Sequence, residues 1–440
     1  MVNSVPVDAI MPLKEVGYHL FSTLYELIFK EKMGRETLQF FTGTSYVAIG
    51  TLFGSVLTLV FNVLGARILG PTNFGALALV TTVSTILSIP MGIGQLGALK
   101  YGSGAPDDSA RSRIISTYTL QMTLLMVGSI AIYVLFAAQL LTVFGISTEV
   151  YLFAVAYAAI ITFYGCTEIS MRMLFRIRTI ALLNALQSVI VLAAFLIFVS
   201  SNMKSWQAAV FSLYIAYAAL AVILVVSLRQ YIKLQLFDMA WAKRIMIYGQ
   251  YALPGTTAAA FMGVDRILIN KFISTEAVGI FNAYCISSIT IALALWGIFN
   301  TSFFPYASKS RNKLTIFRNV NKAVPYLVVA FVPSFVVIEL IIFTFYGRPY
   351  PFTAELGLLF AFAATAFFLY QCYSFLIASE GISGAKRNAL SSIIALAVTI
   401  SLNVLLLPLF GISGAAAALI VAYLTGALYL VLQHRVLGVG

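Results

Sequence analysis

Two adjacent charged residues lie inside a long apolar stretch of the sequence and are its first candidates for chemistry. Asp265 and Arg266 are flanked by segments rich in Ala, Ile and Phe. Because neighbours on a helix point about 100° apart, the two charges cannot simply neutralise each other. We predict that Arg266 is a cavity cation for an anionic group such as a phosphate, which a guanidinium binds with two hydrogen bonds. The alternative is a structural ion pair between helices.

Acidic residues in apolar segments are candidates for ion coupling, because a charge in hydrocarbon is costly and rarely accidental. For Asp265 we favour a structural role, with ion coupling as the alternative. Glu339 has no basic residue within one helical turn. An isolated carboxyl group can bind and release a proton or a cation, as ion coupling requires. The alternative is a neutral, hydrogen-bonded Glu339 or one that faces water near a rim.

Uncharged amides and one arginine complete the candidate site. Asn62 and Asn270 could face a cavity, although a hydrogen bond between helices is the alternative for each. Arg67 ends an apolar segment, so we expect its side chain to reach the interface, with a role in an outer cavity as the alternative. The two histidines stand at the ends of the chain, and no cluster has metal-ligand spacing. We therefore predict no metal and no cofactor.

The composition identifies the kind of protein that must position these residues. The 440 residues are 61% hydrophobic and only 10% charged, whereas soluble domains carry about 25% charged residues. That much apolar surface cannot be hidden in a water-soluble fold. The composition excludes a secreted disulfide scaffold, a disordered protein and an ordinary cytosolic enzyme, and it predicts a multi-pass protein of the cell membrane.

Twelve segments are long and apolar enough to cross a bilayer, which takes about 20 residues. A basic stretch between the sixth and seventh divides the chain. We predict a cytoplasmic amphipathic N-terminal helix at 1–43, a six-helix bundle at 44–228, a cytoplasmic linker at 229–249 and a second six-helix bundle at 250–440. The predicted spans are 46–66, 74–97, 114–137, 150–171, 179–200, 206–228, 250–272, 278–300, 324–346, 354–379, 388–408 and 413–433.

The distribution of basic residues predicts the orientation. With the N-terminus inside, 22 of the 27 Lys and Arg fall on the inner side, as the positive-inside rule requires. Both termini are therefore predicted to be cytoplasmic. The net charge of +12 follows from this topology, so we expect no nucleic-acid partner.

The two predicted bundles resemble each other weakly. Aligning Gly75 with Gly279 gives an offset of 204, and aligning Ala208 with Ala416 gives an offset of 208. Six is an even number of spans, so each half starts on the same side and the halves are parallel repeats. Parallel repeats are related by an axis along the membrane normal and commonly hold substrate between them near the midplane.

Three segments resemble one family of membrane proteins. They are the residues 66–75 (ARILGPTNFG), the residues 265–283 with DRILIN and EAVGIFNA, and the residues 403–416 (NVLLLPLFGISGAA). All three look like the polysaccharide-biosynthesis, oligosaccharide-flippase (Wzx-type) family of the multidrug/oligosaccharidyl-lipid/polysaccharide exporter (MOP) superfamily. The resemblance runs from about 43 to 438.

The resemblance implies an all-α membrane protein with about 12 transmembrane helices in two bundles, in the V shape of multidrug (MATE) exporters. It implies a flippase that moves an isoprenoid-phosphate-linked oligosaccharide by alternating access, as a monomer in contact with membrane lipids, with glycan-assembly proteins as candidate partners. In that setting Arg266 would attract the phosphate of the carrier lipid. Two other classes stay open: a drug or cation antiporter of the same fold, and a membrane polymerase or ligase. The lack of a large outer loop argues against an enzyme.

Overall fold

The computed structural model describes residues 35–261, 263–309, 313–380 and 382–437. Every regular element within these ranges is helical, which confirms the all-α prediction. Residues 1–34, which form most of the predicted N-terminal amphipathic helix, lie outside the described residues.

Fourteen α-helices follow one another in the described part of the chain. A 3₁₀ turn lies at Leu234–Leu236 and a π-helix at Ile286–Thr290. The helices are α1 (Arg35–Met91), α2 (Gln95–Ser103), α3 (Asp108–Leu135), α4 (Ala137–Phe144), α5 (Thr148–Met173), α6 (Ile177–Ser200), α7 (Trp206–Leu228), α8 (Met239–Phe261), α9 (Val264–Phe272), α10 (Thr275–Cys285), α11 (Ile291–Lys309), α12 (Lys313–Tyr346), α13 (Ala354–Ala378) and α14 (Ile382–Leu437).

These helices account for the twelve predicted spans. Nine helical segments of the described chain are long and apolar enough to cross a membrane. Two of them contain a sharp bend at a glycine, Gly70 in α1 (φ 72°) and Gly411 in α14 (φ 56°), so each supplies two crossings. Such positive φ values suit glycine, which has no Cβ. Helices α8 and α9 follow the predicted seventh span and complete the set.

The helix that contains the start of the predicted seventh span begins earlier than hydropathy predicts. Helix α8 starts at Met239, inside the predicted 229–249 linker. The carboxylate of Asp238 accepts a hydrogen bond from the backbone N–H of Ala240 at 2.8 Å, as a helix N-cap does. Lys243 and Arg244 follow within the first turns, so an apolar window misses this part of the helix.

The two halves meet closely where α1 and α10 cross. A Cβ on Gly75 would overlap the carbonyl oxygen of Thr275, and a Cβ on Gly279 would overlap that of Pro71. The offset of 204 maps Pro71 onto Thr275 and Gly75 onto Gly279, so the two contacts are equivalent. Only glycine permits this backbone approach, and the symmetry supports the parallel repeat.

Following the predicted orientation, we call the end of the helices at Gly70, Gly145 and Ile273 the outer end, and the opposite end the inner end. At the outer end, the Tyr350 hydroxyl also donates to the carbonyl oxygen of Ala66 at 3.1 Å. The halves are therefore joined at this end by backbone contact and by a buried hydrogen bond.

Candidate functional site

Two adjoining cavities lie along α1. Passing from the outer towards the inner end, cavity A comes first and has a volume of about 190 Å³. Cavity B follows and has a volume of about 400 Å³. The ring of Tyr217 lines both, so the two cavities adjoin. Cavity A is lined mainly by Thr58, Phe61, Asn62, Tyr157, Gln187 and Asn282, and cavity B mainly by Ser88, Gln95, Thr162, Tyr164, Glu168 and Gly249.

Cavity A joins polar groups from both halves. Asn62 on α1 donates from Nδ2 to the carbonyl oxygen of Thr58 at 2.9 Å, one turn earlier. The hydroxyl groups of Thr58 and Ser188 lie 3.1 Å apart, which connects α1 to α6. Asn282 on α10 comes from the second half and lines the same cavity. The cavity therefore lies at the boundary between the two halves.

Arg266 stands directly behind Asn282. Its Nε donates to the Asn282 Oδ1 at 2.9 Å, and its guanidinium carbon lies 5.9 Å from the centre of the Phe281 ring. The side chain is half-buried, and it forms no ion pair with an acid among the described residues. Because Arg266 Nε donates to the side-chain carbonyl oxygen of Asn282, the NH₂ group of Asn282 can donate to a ligand in the cavity. One hydrogen bond therefore connects Arg266 to the lining of cavity A.

Asp265 has a different partner from its neighbour. The side chain is 1% exposed, and Oδ1 accepts a hydrogen bond of 2.6 Å from Asn403 Nδ2 on α14. The same Nδ2 donates to the carbonyl oxygen of Thr399 at 2.8 Å. The pair ties α9 to the last long helix.

Glu339, on α12, is a fully buried acid. It is 0% exposed, and neither carboxyl oxygen has a hydrogen-bond partner among the residues that the structure describes. The hydroxyl of Ser288, on the adjoining π-helix, donates at 2.7 Å to the carbonyl oxygen of Tyr284 instead. A Cβ on Gly357 would come within 3.2 Å of Glu339 Oε2, so the glycine leaves room for the carboxyl group.

Two other predicted site residues lie away from the cavities. Asn270 donates from Nδ2 to the carbonyl oxygen of Gly145 at 2.8 Å and accepts from the Thr275 hydroxyl at 2.7 Å. Both the NH₂ group and the oxygen of the Asn270 amide are therefore hydrogen-bonded at the outer end of the helices. Arg67 is exposed, and it does not line cavity A or cavity B.

Glu168 and Arg172 form an ion pair. Arg172 Nη2 lies 2.6 Å from Glu168 Oε1, four residues apart on α5. Glu168 also lines cavity B. The one acid in the lining of the two cavities is therefore compensated by a neighbouring cation.

Sequence reasoning missed Asn282 and the aromatic wall of cavity A. Tyr157 and Tyr217 line the cavity with ring centres 5.8 Å apart. The offset of 204 maps Asn62 onto Arg266 and Ala78 onto Asn282. Asn62 and Ala78 both line cavity A. Positions equivalent to Arg266 and Asn282 in the first half thus face the same space.

The apolar helices and the polar cavity between the two halves are those of a multi-pass membrane protein. The model of the family described as "Polysaccharide biosynthesis protein" matches residues 40–311. Because this match covers more than half of the sequence, the chain belongs to that family. A search of the curated proteins finds no match.

Solved structures with the same fold include exporters and a flippase. An inward-facing multidrug resistance MATE family transporter of the MOP superfamily matches with a TM-score of 0.67 at 15% identity, over 89% of this chain and 99% of the other. The lipid II flippase MurJ, in an inward closed conformation, matches with a TM-score of 0.66 at 16% identity, over 88% and 87%. An outward-facing MATE transporter matches with a TM-score of 0.59 at 15% identity, over 89% and 94%.

Proposed function

We propose that this protein is a flippase that moves an isoprenoid-lipid-linked oligosaccharide across the cell membrane by alternating access. The observation that carries the proposal is the polar cavity between the halves, together with the hydrogen bond from Arg266 to Asn282 in its lining. The family match and the fold shared with a lipid II flippase support the proposal. No covalent step is assigned to the protein.

Arg266 is proposed to hold the phosphate of the carrier lipid. Its Nε is bound to Asn282, and the same guanidinium carries two further nitrogens, Nη1 and Nη2. Those two nitrogens can bind phosphate oxygens, and a guanidinium keeps its charge in apolar surroundings. The glycosyl head would then lie in the cavities while the lipid tail stays in the bilayer between the halves.

Glu339 is the stronger candidate for ion coupling of the two acids that the sequence singled out. Asp265 is bound by Asn403, whereas Glu339 has no partner in the described part of the chain. A proton needs one carboxyl oxygen, whereas hard metal cations need several oxygen ligands. No group of three or more His, Cys, Asp or Glu suited to a metal occurs among the described residues. We therefore propose the proton as the coupling ion.

A drug or cation antiporter is the second candidate, and the matches to MATE transporters favour it. A cationic substrate would need a net acidic cavity. The acid that lines cavity B, Glu168, is already paired with Arg172 at 2.6 Å. The proposed flippase agrees better with this charge distribution, because a phosphate needs a cation.

The test is flipping of a fluorescent isoprenoid-diphosphate saccharide in proteoliposomes. We expect the wild type to flip the lipid, Arg266→Ala to lose at least about tenfold in rate, since a charged hydrogen bond contributes about 1.5–3 kcal/mol, and Arg266→Lys to recover only part of the loss. The control is Arg67→Ala, which removes an exposed arginine outside both cavities. Equal rates for wild type and Arg266→Ala would make Arg266 structural, and a wild type that moves only cationic drugs would establish the antiporter.

A further inference from the structure

Cavity A has a lining of one particular chemical character. Its polar groups are amides and hydroxyls, from Asn62, Gln187, Asn282, Thr58 and Ser188, and no acidic or basic side chain lines it. Cavity B differs, because its lining includes the acid Glu168. The two adjoining spaces therefore suit different parts of a substrate.

The hydrogen-bonding groups of cavity A offer both donors and acceptors. Asn62 uses Nδ2 on the Thr58 carbonyl, which leaves its Oδ1 as an acceptor. Arg266 occupies the Oδ1 of Asn282, which leaves the Asn282 NH₂ as a donor. Sugar hydroxyl groups both donate and accept, so a ligand with several hydroxyl groups satisfies both amides at once.

Aromatic rings also line cavity A. Tyr157 and Tyr217 stand with ring centres 5.8 Å apart, and Phe61 adds a third ring. Aromatic faces pack against apolar surface. A pyranose ring presents a C–H face to such a surface and a polar edge to the amides. An alkyl chain would leave the amides without partners.

The volume limits how much of a substrate enters. Cavity A measures about 190 Å³, below the roughly 300–1,000 Å³ of pockets that enclose drug-sized ligands. It therefore takes a single ring. The adjoining cavity B, at about 400 Å³, has room for further sugars of a chain.

From these observations we propose that cavity A is a subsite for one uncharged sugar ring, the ring attached to the phosphate that Arg266 holds. The proposal rests on the proposed function and names its substrate class. A uronic acid in this subsite would bring a carboxylate into a space without a lining cation, and such a charge would lose its water without gaining an ion pair. The subsite therefore selects against an acidic first sugar.

The test compares three short-chain polyprenyl diphosphates binding to the full-length protein in nanodiscs by native mass spectrometry. One carries N-acetylglucosamine, one carries glucuronic acid, and one carries no sugar. We expect the N-acetylglucosamine compound to bind about tenfold more tightly than either of the others, the value of one or two good hydrogen bonds. Equal or tighter binding of the glucuronic acid compound would overturn the proposal.

Variants separate the sugar subsite from the phosphate site. We expect Asn62→Leu to remove the preference for the N-acetylglucosamine compound without weakening the sugarless one, whereas Arg266→Ala weakens all three. The control is Gln207→Leu, because this amide is hydrogen-bonded to Glu149 at 2.8 Å outside both cavities. If Asn62→Leu also failed to bind the sugarless compound, the preference for N-acetylglucosamine would be measured in Tyr217→Phe, which removes only a hydroxyl group. If the variant used, Asn62→Leu or Tyr217→Phe, kept the wild-type preference for the N-acetylglucosamine compound, the sugar subsite would be overturned.

Failure of the proposed function gives a different result. A wild type that binds none of the three diphosphates contradicts both the flippase and the subsite. A wild type that binds all three equally keeps the phosphate site and overturns the sugar subsite alone.

Discussion

Equivalent positions of the two halves hold different chemistry. The offset of 204 maps Phe61 onto Asp265, and the offset of 208 maps Phe195 onto Asn403. In the first half the two rings pack edge to face with centres 5.3 Å apart. In the second half the two polar side chains share a hydrogen bond of 2.6 Å. The equivalent helix contact is therefore aromatic in the first half and a buried polar pair in the second half.

The same asymmetry extends to the cavity. Asn62 and Ala78 in the first half correspond to Arg266 and Asn282 in the second. For cavity A the first half supplies uncharged walls, while the second half supplies the cation bound to Asn282 and the two buried acids, Asp265 and Glu339. The helix positions are thus repeated, whereas the buried acids among the described residues lie in one half. We interpret this as a division between a half that shapes cavity A and a half that holds the buried charge.

The largest effect is expected where the halves are most alike, at the glycine crossing. In Gly75→Ala the new Cβ overlaps the carbonyl oxygen of Thr275, so the outer end cannot close as it does here. A clash of about 1–3 kcal/mol would reduce the closed population roughly tenfold to hundredfold. The measurement is the outer-end distance distribution between spin labels. Gly128→Ala is the control, because nothing lies within 4 Å of its added Cβ. An unchanged distribution in Gly75→Ala would show that the crossing does not hold the outer end.

An intermediate effect is expected at Glu339, a feature of the second half alone. We expect Glu339→Gln to retain flipping but to lose its stimulation by a pH gradient, because the amide fills the same space and cannot exchange a proton. The measurement is the initial flipping rate in proteoliposomes with and without the gradient. Glu355→Gln, which changes an exposed acid at the start of α13, serves as the control. Stimulation of Glu339→Gln to the wild-type extent would exclude Glu339 as the coupling group.

Effects on stability are expected where the two versions of the helix contact are compared directly. Phe61→Ala removes a ring that is 5% exposed, and we expect a loss of about 3 kcal/mol. Asn403→Leu leaves the buried carboxyl of Asp265 without its donor, and we expect a loss of about 1–3 kcal/mol. Thermal unfolding in detergent would rank the two. If Asn403→Leu proved neutral, the polar pair would not stabilise the second half.

Hydropathy predicted much of this fold because crossing a bilayer requires a long apolar segment. Nine helical segments of the described chain are long and apolar enough to cross a membrane, and glycine bends at Gly70 and Gly411 divide two of them. The start of α8 at Met239 was missed because its first turns carry Lys243 and Arg244, which lower the hydropathy of a helix that is nevertheless continuous.

The site was harder to predict because a helix that is apolar all round gives no signal for which face meets a cavity. Nothing in the sequence distinguishes Asn282 from the other amides, whereas the structure places its side chain in a hydrogen bond with Arg266. Asn270 has the same side chain, yet the structure places it against Gly145 at the outer end. These differences depend on tertiary contacts that composition and spacing do not record.

The central claim is that Arg266, supported by Asn282, holds the phosphate of a lipid-linked saccharide. The most direct measurement is a cryo-electron microscopy structure of the protein with a polyprenyl diphosphate that carries N-acetylglucosamine. We expect phosphate density within hydrogen-bond distance of the Arg266 guanidinium and a sugar ring beside Asn62. Phosphate density elsewhere, with the Arg266 guanidinium still bound only to Asn282, would show that Arg266 does not hold the phosphate.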